Sequence, residues 1–276
     1  MTICSSSSRR PLTGNAPIGT AALDMPEKGA VIGAPVTVGD VDAAAATILA
    51  AAEAGKGGYV CVANVHMVTT AKKDPGLLAA MEGALWVTSD GMPLVWALRR
   101  HGHEKARRVA GPDLMRHLLQ KAETARVPVY FFGGNVATVA ALKAALETQF
   151  PALVLAGIEA PPLLPLAPEV DSGTVARING TGARLVFVGL GCPKQEYWMA
   201  AYAPHLTGVQ IGVGAAFDFF AGTLVRAPRW MQAAGLEWLF RLWAEPRRLW
   251  RRYLVTNSQF IWYVLASWLL SKTGRV

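Results

Sequence analysis

An α/β fold, with an open and mostly parallel sheet carrying helices on both faces, is what this chain predicts, and three observations carry the prediction. Between residues 31 and 221, short apolar, β-branched runs alternate with longer helical patterns. The short runs are continuously apolar, as strands covered on both faces are. Several of them end in Gly or a small polar residue just where a helix starts, as in AN at 63 to 64, SDG at 89 to 91, GGN at 133 to 135 and GLG at 189 to 191. Strand, helix, strand, repeated this often, reads as a Rossmann-like sheet.

The elements follow in order. Residues 1 to 30 are rich in Ser, Pro and Gly with no apolar run of signal-peptide length, so they read as a disordered tail, with the fold beginning near Val31. GDVDAAAATILAA opens a helix, and Asp40 caps it. The D-x-D of Asp40 and Asp42 is a metal pattern in many nucleotide-sugar enzymes, but capping and first-turn charge account for it, and no metal is expected.

YVCVAN (59 to 64) is a strand, and Asn64 at its end either makes the turn or hydrogen-bonds a polar ligand. His66 has no second ligand at metal spacing and reads as structural. ALWVTS (84 to 89) is the next strand, followed at once by Asp90 and a helix; Asp90 is equally well a helix cap or a general base at the rim of a cleft.

GPDLMRHLLQKAETA and NVATVAALKAALETQF read as helices flanking the strand VPVYFFG (127 to 133), and ALVLAG (152 to 157) is a fourth strand. APPLLPLAPEV (160 to 170) is a proline-rich surface connection. RLVFVGLG (184 to 191) is a strand whose GxG is half of a dinucleotide fingerprint, with no third glycine and with Pro193 interrupting. Lys194, Gln195 and Glu196 then sit at a helix N-terminus, a place for phosphate or sugar hydroxyls, or in the case of Glu196 for a favourable first-turn charge. GVQIGVG (208 to 214) is the last strand. Ligands bind at the carboxyl ends of strands in such sheets, so the site is expected from these loops, including Gly134, Gly189 and Gly214.

Composition bounds the rest. The chain has 276 residues, 52% of them hydrophobic, enough for a sizeable core. Cys4, Cys61 and Cys192 lie far apart without a CxxC spacing, which points to a reducing, cytoplasmic setting. Of the net charge of +8, nearly all sits from Arg226 onward, where nine Lys or Arg meet two Glu. The body is therefore close to neutral, and residues 226 to 276 form a separate basic appendage on a catalytic domain of residues 31 to 225.

That appendage interleaves Trp and Arg. At 100° per residue Leu249, Trp250, Tyr253 and Leu254 share one arc, and Arg247, Arg248, Arg251 and Arg252 the other. FIWYVLASWLL (260 to 270) is apolar over too few residues to span a bilayer. In-plane association with a membrane is expected, with an oligomer interface as the alternative.

ANVHMV, SDGMPLVWALR, RVAGPDL, GLGCPKQE, GVGAAFDFFAG and RAPRWMQAAGLEWLFRLWAEPRRLWRRY, taken in series, resemble the WecG/TagA/CpsF family of bacterial glycosyltransferases over roughly residues 31 to 255. The resemblance implies inverting transfer of a sugar from a UDP-sugar to a polyprenyl-diphosphate-linked saccharide at the cytoplasmic membrane face, without a metal or other cofactor. It assigns the base to Asp90. It assigns substrate contacts to Asn64, Arg108 and Gln195 and, on the appendage, to Arg241, Arg248 and Arg251, which meet the acceptor diphosphate. The family's Thr two residues before the Asn is Val62 here, so the donor stays open among N-acetylmannosamine, its uronic acid and glucose.

Other classes fare worse. A nicotinamide-dependent oxidoreductase needs the fingerprint that is incomplete here, and a non-enzymatic membrane or nucleic-acid binder leaves the loop constellation unexplained. Nucleic acid is not an expected partner. A homo-oligomer is, if the appendage covers a neighbouring subunit's cleft.

Overall fold

The structure, a computed structural model, describes residues 26–272, and the segment before residue 26 lies outside the described residues. The first element begins slightly earlier than the sequence pattern suggests. β1 (Lys28–Val31) and β2 (Ala34–Thr37) form an antiparallel hairpin whose two-residue turn, Ile32 and Gly33, has positive φ at both positions. That is the backbone hand which matches strand twist. The hairpin lies along the sheet: Val87 N–H donates to Thr37 Oγ1 at 2.9 Å, and Lys28 Nζ donates to the Ala84 carbonyl at 3.0 Å.

The main chain then runs α1 (Val41–Glu53), β3 (Tyr59–Ala63), α2 (Val65–Ala71), α3 (Pro75–Glu82), β4 (Trp86–Ser89), α4 (Met92–Arg100), α5 (Gly111–Ala125), β5 (Val129–Gly133), α6 (Val136–Gln149) and β6 (Leu155–Glu159). It continues through α7 (Ser172–Gly180), β7 (Leu185–Gly189), α8 (Lys194–Tyr202), β8 (Val209–Gly212) and α9 (Ala216–Phe220). All six expected strands form, and they pair in parallel in the order β4-β3-β8-β7-β5-β6. β6 starts about three residues later than expected and is half-buried throughout, as an outermost strand is.

Alternation sorts the strand residues between two cores. Tyr59, Cys61, Ala63, Tyr130, Phe132, Val186 and Val188 pack with α2, α3, α4 and α8 on one face. Val60, Val62, Val129, Phe131, Leu185 and Phe187 pack with α1, α5, α6 and α9 on the other. A sheet buried on both sides explains why its strands read as unbroken apolar runs.

Neighbouring β5 and β7 send their chains in opposite directions, β5 out to β6 and β7 back to β8. This is the switch point of the sheet, yet the two strands stay paired to their ends, where the Gly134 N–H donates to the Gly189 carbonyl at 3.0 Å. Glycine is required there. Gly133 has φ 131° and is the register partner of Gly189, and a Cβ on it would lie 2.6 Å from the Gly189 backbone.

The appendage is α10 (Arg229–Ala233), α11 (Glu237–Ala244) and α12 (Pro246–Lys272). With 27 residues, α12 is ~40 Å long. It packs on α2 and α11, and Leu249, Thr256 and Phe260 turn inward and are buried. Of the expected apolar arc, Leu249 faces in, and Trp250 and Leu254 are exposed. Among the described residues no helix is long and apolar enough to cross a membrane.

Candidate active site

The carboxyl ends of β3, β4, β7 and β8 meet at one cleft, and hydrogen bonds in the loops fix what projects into it. Asn64 follows β3 and accepts the Met67 N–H at 3.1 Å, so its Oδ1 caps α2. Its side chain also lines the cleft. The cap uses the carbonyl oxygen and not the amide NH2, so capping does not exclude a ligand contact.

Asp90 follows β4, where its own N–H donates to the Ala63 carbonyl at 2.7 Å. The cap of α4 is Gly91, at φ 124°, and no side chain caps that helix. The carboxylate of Asp90 is therefore not spent on the helix and faces the cleft. Burial pushes its pKa up to about 6; Arg108 opposes this, Glu237 adds to it, and Arg241 and Arg226 oppose it again. A carboxylate held this way is poised as a proton acceptor near neutral pH.

Arg108 reaches the same place because the loop before α5 is tied to the end of β4. Ser89 Oγ donates to the Arg107 carbonyl at 2.6 Å, the Val109 N–H donates to the Ser89 carbonyl at 3.1 Å, and Arg99 holds the Ala106 carbonyl with two hydrogen bonds.

Gln195, 3% exposed, lies under Gly212 and Gly214. Its Nε2 donates to Glu196 Oε1 at 2.7 Å and to the Gly212 carbonyl at 3.2 Å, while its Oε1 has no hydrogen-bond partner among the described residues. An orphaned acceptor beside a cleft makes Gln195 a candidate ligand contact. Glu196, fully buried, has a pKa pushed up to about 7 by burial, against the hydrogen bond from Gln195. It lies in the first turn of α8, as the sequence allows, and from there its Oε1 orients Gln195.

Two cavities share Asp90. One, of about 360 Å³, is polar and runs along the strand ends past Val62, Gly189, Gln195, Gly214 and Asp218. The other, of about 480 Å³, is mainly apolar and lies between α4 and the appendage, with Met92 and Trp96 as its floor and Tyr253, Phe260, Ile261 and Val264 of α12 as its roof. Asn64, His66, Asp90, Glu237 and Arg241 line both. Arg241 lies over the Phe219 ring at 5.4 Å, and its buried Nε has no hydrogen-bond partner among the described residues. The appendage thus closes the cleft of its own chain, so the geometry does not call on a neighbouring subunit to cover it.

A model of the glycosyl transferase WecG/TagA/CpsF family matches residues 30–274, nearly the whole chain. The protein belongs to that family. It is accordingly a glycosyltransferase of cell-surface polysaccharide synthesis.

Of the residues expected from the WecG/TagA/CpsF resemblance and from the loops, the structure gathers Asn64, Asp90, Arg108, Gly189, Gln195, Gly214 and Arg241 around the two cavities. Three others stand apart. Gly134 packs against Thr138 and Phe217 and shapes the end of β5 without lining either cavity. Lys194 donates to the Leu164 carbonyl at 2.6 Å, so its charge fastens the proline-rich connection. Arg251 is exposed over its own Trp250 ring, because at 100° per residue it stands about 200° from inward-facing Leu249. The Arg248 side chain lies outside the described residues.

The WecG/TagA/CpsF motifs also hold residues that the sequence reading passed over. Asp218, inside GVGAAFDFFAG, lines the polar cavity and accepts from Thr138 Oγ1 at 3.2 Å. His66, read as structural, lines both cavities. Glu237 is the first residue of α11 and pairs with Arg108 across 129 positions of sequence. Asp40 caps α1 and Asp42 meets His117 at 2.9 Å, so neither belongs to the site.

Proposed function

We propose that the protein transfers a sugar, with inversion, from a UDP-sugar to a polyprenyl-diphosphate-linked saccharide, with Asp90 as the base. The observation that supports this best is the position of Asp90 in the wall between a polar cleft at the strand ends and an apolar cavity under the appendage. The first suits a nucleotide-sugar, the second an acceptor that carries hydrocarbon.

Asp90 accepts the proton of an acceptor hydroxyl as its oxygen attacks the anomeric carbon. The bond from that carbon to the diphosphate oxygen breaks, and UDP leaves with the bonding pair. Arg108 and Arg241 meet the charge that develops on it, as guanidinium forks meet phosphate. Asn64 and Gln195 hold sugar hydroxyls. Val62 contributes methyl groups to the polar cavity where the family's hydroxyl stands, so the donor is to be found by trial among N-acetylmannosamine, its uronic acid and glucose.

The outer face of the appendage supports docking at the cytoplasmic face of a membrane. Trp243, Trp250, Leu254 and Trp262 are exposed on it, beside Arg247 and Arg251.

The test is UDP release from a panel of UDP-sugars with detergent-solubilised polyprenyl-diphosphate-saccharides, using the full chain and a chain ending at Thr223. Release that needs both acceptor and appendage is expected. Equal release by the truncated protein removes the appendage from catalysis, and a folded full-length protein that binds no UDP ends the proposal.

A further inference from the structure

Four charges form a closed ring beside Asp90. Arg226 holds Asp113 through two hydrogen bonds of 2.5 and 2.7 Å, and its Nε lies 3.7 Å from Glu237 Oε1. Glu237 Oε2 accepts from Arg108 Nη2 at 2.5 Å, and Arg108 Nη1 returns to Asp113 Oδ2 at 3.5 Å. Burial would raise the Asp113 pKa, but the hydrogen bond from Arg226 and the charges of Arg226, Arg108 and Arg116 hold it below the usual carboxylate range.

The ring is unevenly tied. Asp113 is committed to Arg226, so the close counter-ion of Arg108 is Glu237, which belongs to the appendage. The side chains of Arg108 and Glu237 are 15% and 22% exposed, so water screens their attraction only in part. Beyond this pair α11 meets the body through Arg241 over the Phe219 ring, and neither α10 nor α11 has a fully buried residue. An element with so few buried contacts opens at small cost.

A guanidinium fork accepts carboxylate and phosphate in the same geometry, and a phosphate brings more charge. We propose that Glu237 is a positioning residue: it occupies Arg108 in the ligand-free protein, clasping α11 over Asp90, and yields Arg108 to the phosphate of an incoming substrate. The proposal rests on the transferase reading in taking that anion to be a substrate's. By this exchange α11 is held down when the cleft is empty and freed to re-seat, with Arg241, when it fills.

Inorganic pyrophosphate is the probe, titrated calorimetrically into the full-length wild-type, Glu237→Gln and Glu237→Asp proteins. Glu237→Gln is expected to bind it roughly tenfold tighter, because no internal anion competes, and Glu237→Asp to return toward wild type. A residue that merely supports the fold would weaken binding when replaced. Hydrogen exchange of the wild-type protein supplies a reading that needs no variant: saturating pyrophosphate should speed exchange in α11. Unchanged or weaker binding by Glu237→Gln overturns the clasp, as does α11 exchange that slows or stays the same in wild type, or pyrophosphate that binds neither protein. Sugar transfer is read separately by UDP release, so either idea can fall while the other stands.

Discussion

Asp90 has a raised pKa because the protein surrounds it, and two measurable consequences follow from the sign. As a base it must be ionised, so kcat/KM should fall about tenfold per pH unit below about pH 6 and level off above it. A carboxyl raised from 3.8 to about 6 also stabilises the fold most at low pH, and that share is lost as the pH rises through about 6. Asp90→Asn should therefore end turnover, keep UDP binding, and raise stability at pH 7.5 by about 1–2 kcal/mol, the cavities screening part of the full shift. Normal turnover in that variant would remove Asp90 from its role. Glu196 obeys the same sign with a higher midpoint, about 7. Glu196→Gln should match wild type in urea melts at pH 4.5 and exceed it by about 2 kcal/mol at pH 8; a constant difference across that range would mean Glu196 does not titrate with folding. At this scale the sequence was informative where a residue is fixed by its own loop: Asn64, Asp90 and Gln195 each follow a strand end. It was silent on Glu237 and Asp218, whose roles come from partners far along the chain.

Elements were legible to the extent that their burial is simple. Six strands show themselves because both faces are covered, so alternation disappears and an apolar run remains. β1 and β2 have four residues each, one of them a proline in β2, too short for a pattern to register. On α12 the expected apolar arc divides: Trp250 and Leu254 are exposed while Leu249 packs on the body, a split that hydrophobicity alone does not specify. The close pairing of the β5 and β7 ends gives the prediction for this scale. Gly133→Ala puts a methyl group 2.6 Å from the Gly189 backbone at a φ that side chains avoid, and no rotamer relieves it. A loss of at least about 2 kcal/mol is expected in thermal melts, and a melting point within a degree of wild type would show that the strand ends part more readily than their register implies.

The whole molecule divides its labour by charge. The body is nearly neutral and carries the cleft, while the appendage carries most of the excess positive charge and the exposed tryptophans. On the proposed membrane reading, vesicles with anionic phospholipid should bind the full chain, less so at high salt. Trp243, 80% exposed with its ring near Phe240 of the same helix, and Trp262, 69% exposed, have little packing to lose. Replacing both with Ser should cut vesicle partitioning at least tenfold while the melting point holds; unchanged partitioning would move the contact to another surface.

One consequence follows from the cleft having its floor and its roof on one polypeptide. Seating of α11 is an intramolecular event, governed by an effective concentration on the order of millimolar rather than by how much protein is present. A single ion pair too weak to hold two separate molecules together is then sufficient to keep α11 seated most of the time. For the same reason, the appendage supplied as a separate peptide would have to approach that concentration before it restored what the truncated chain had lost.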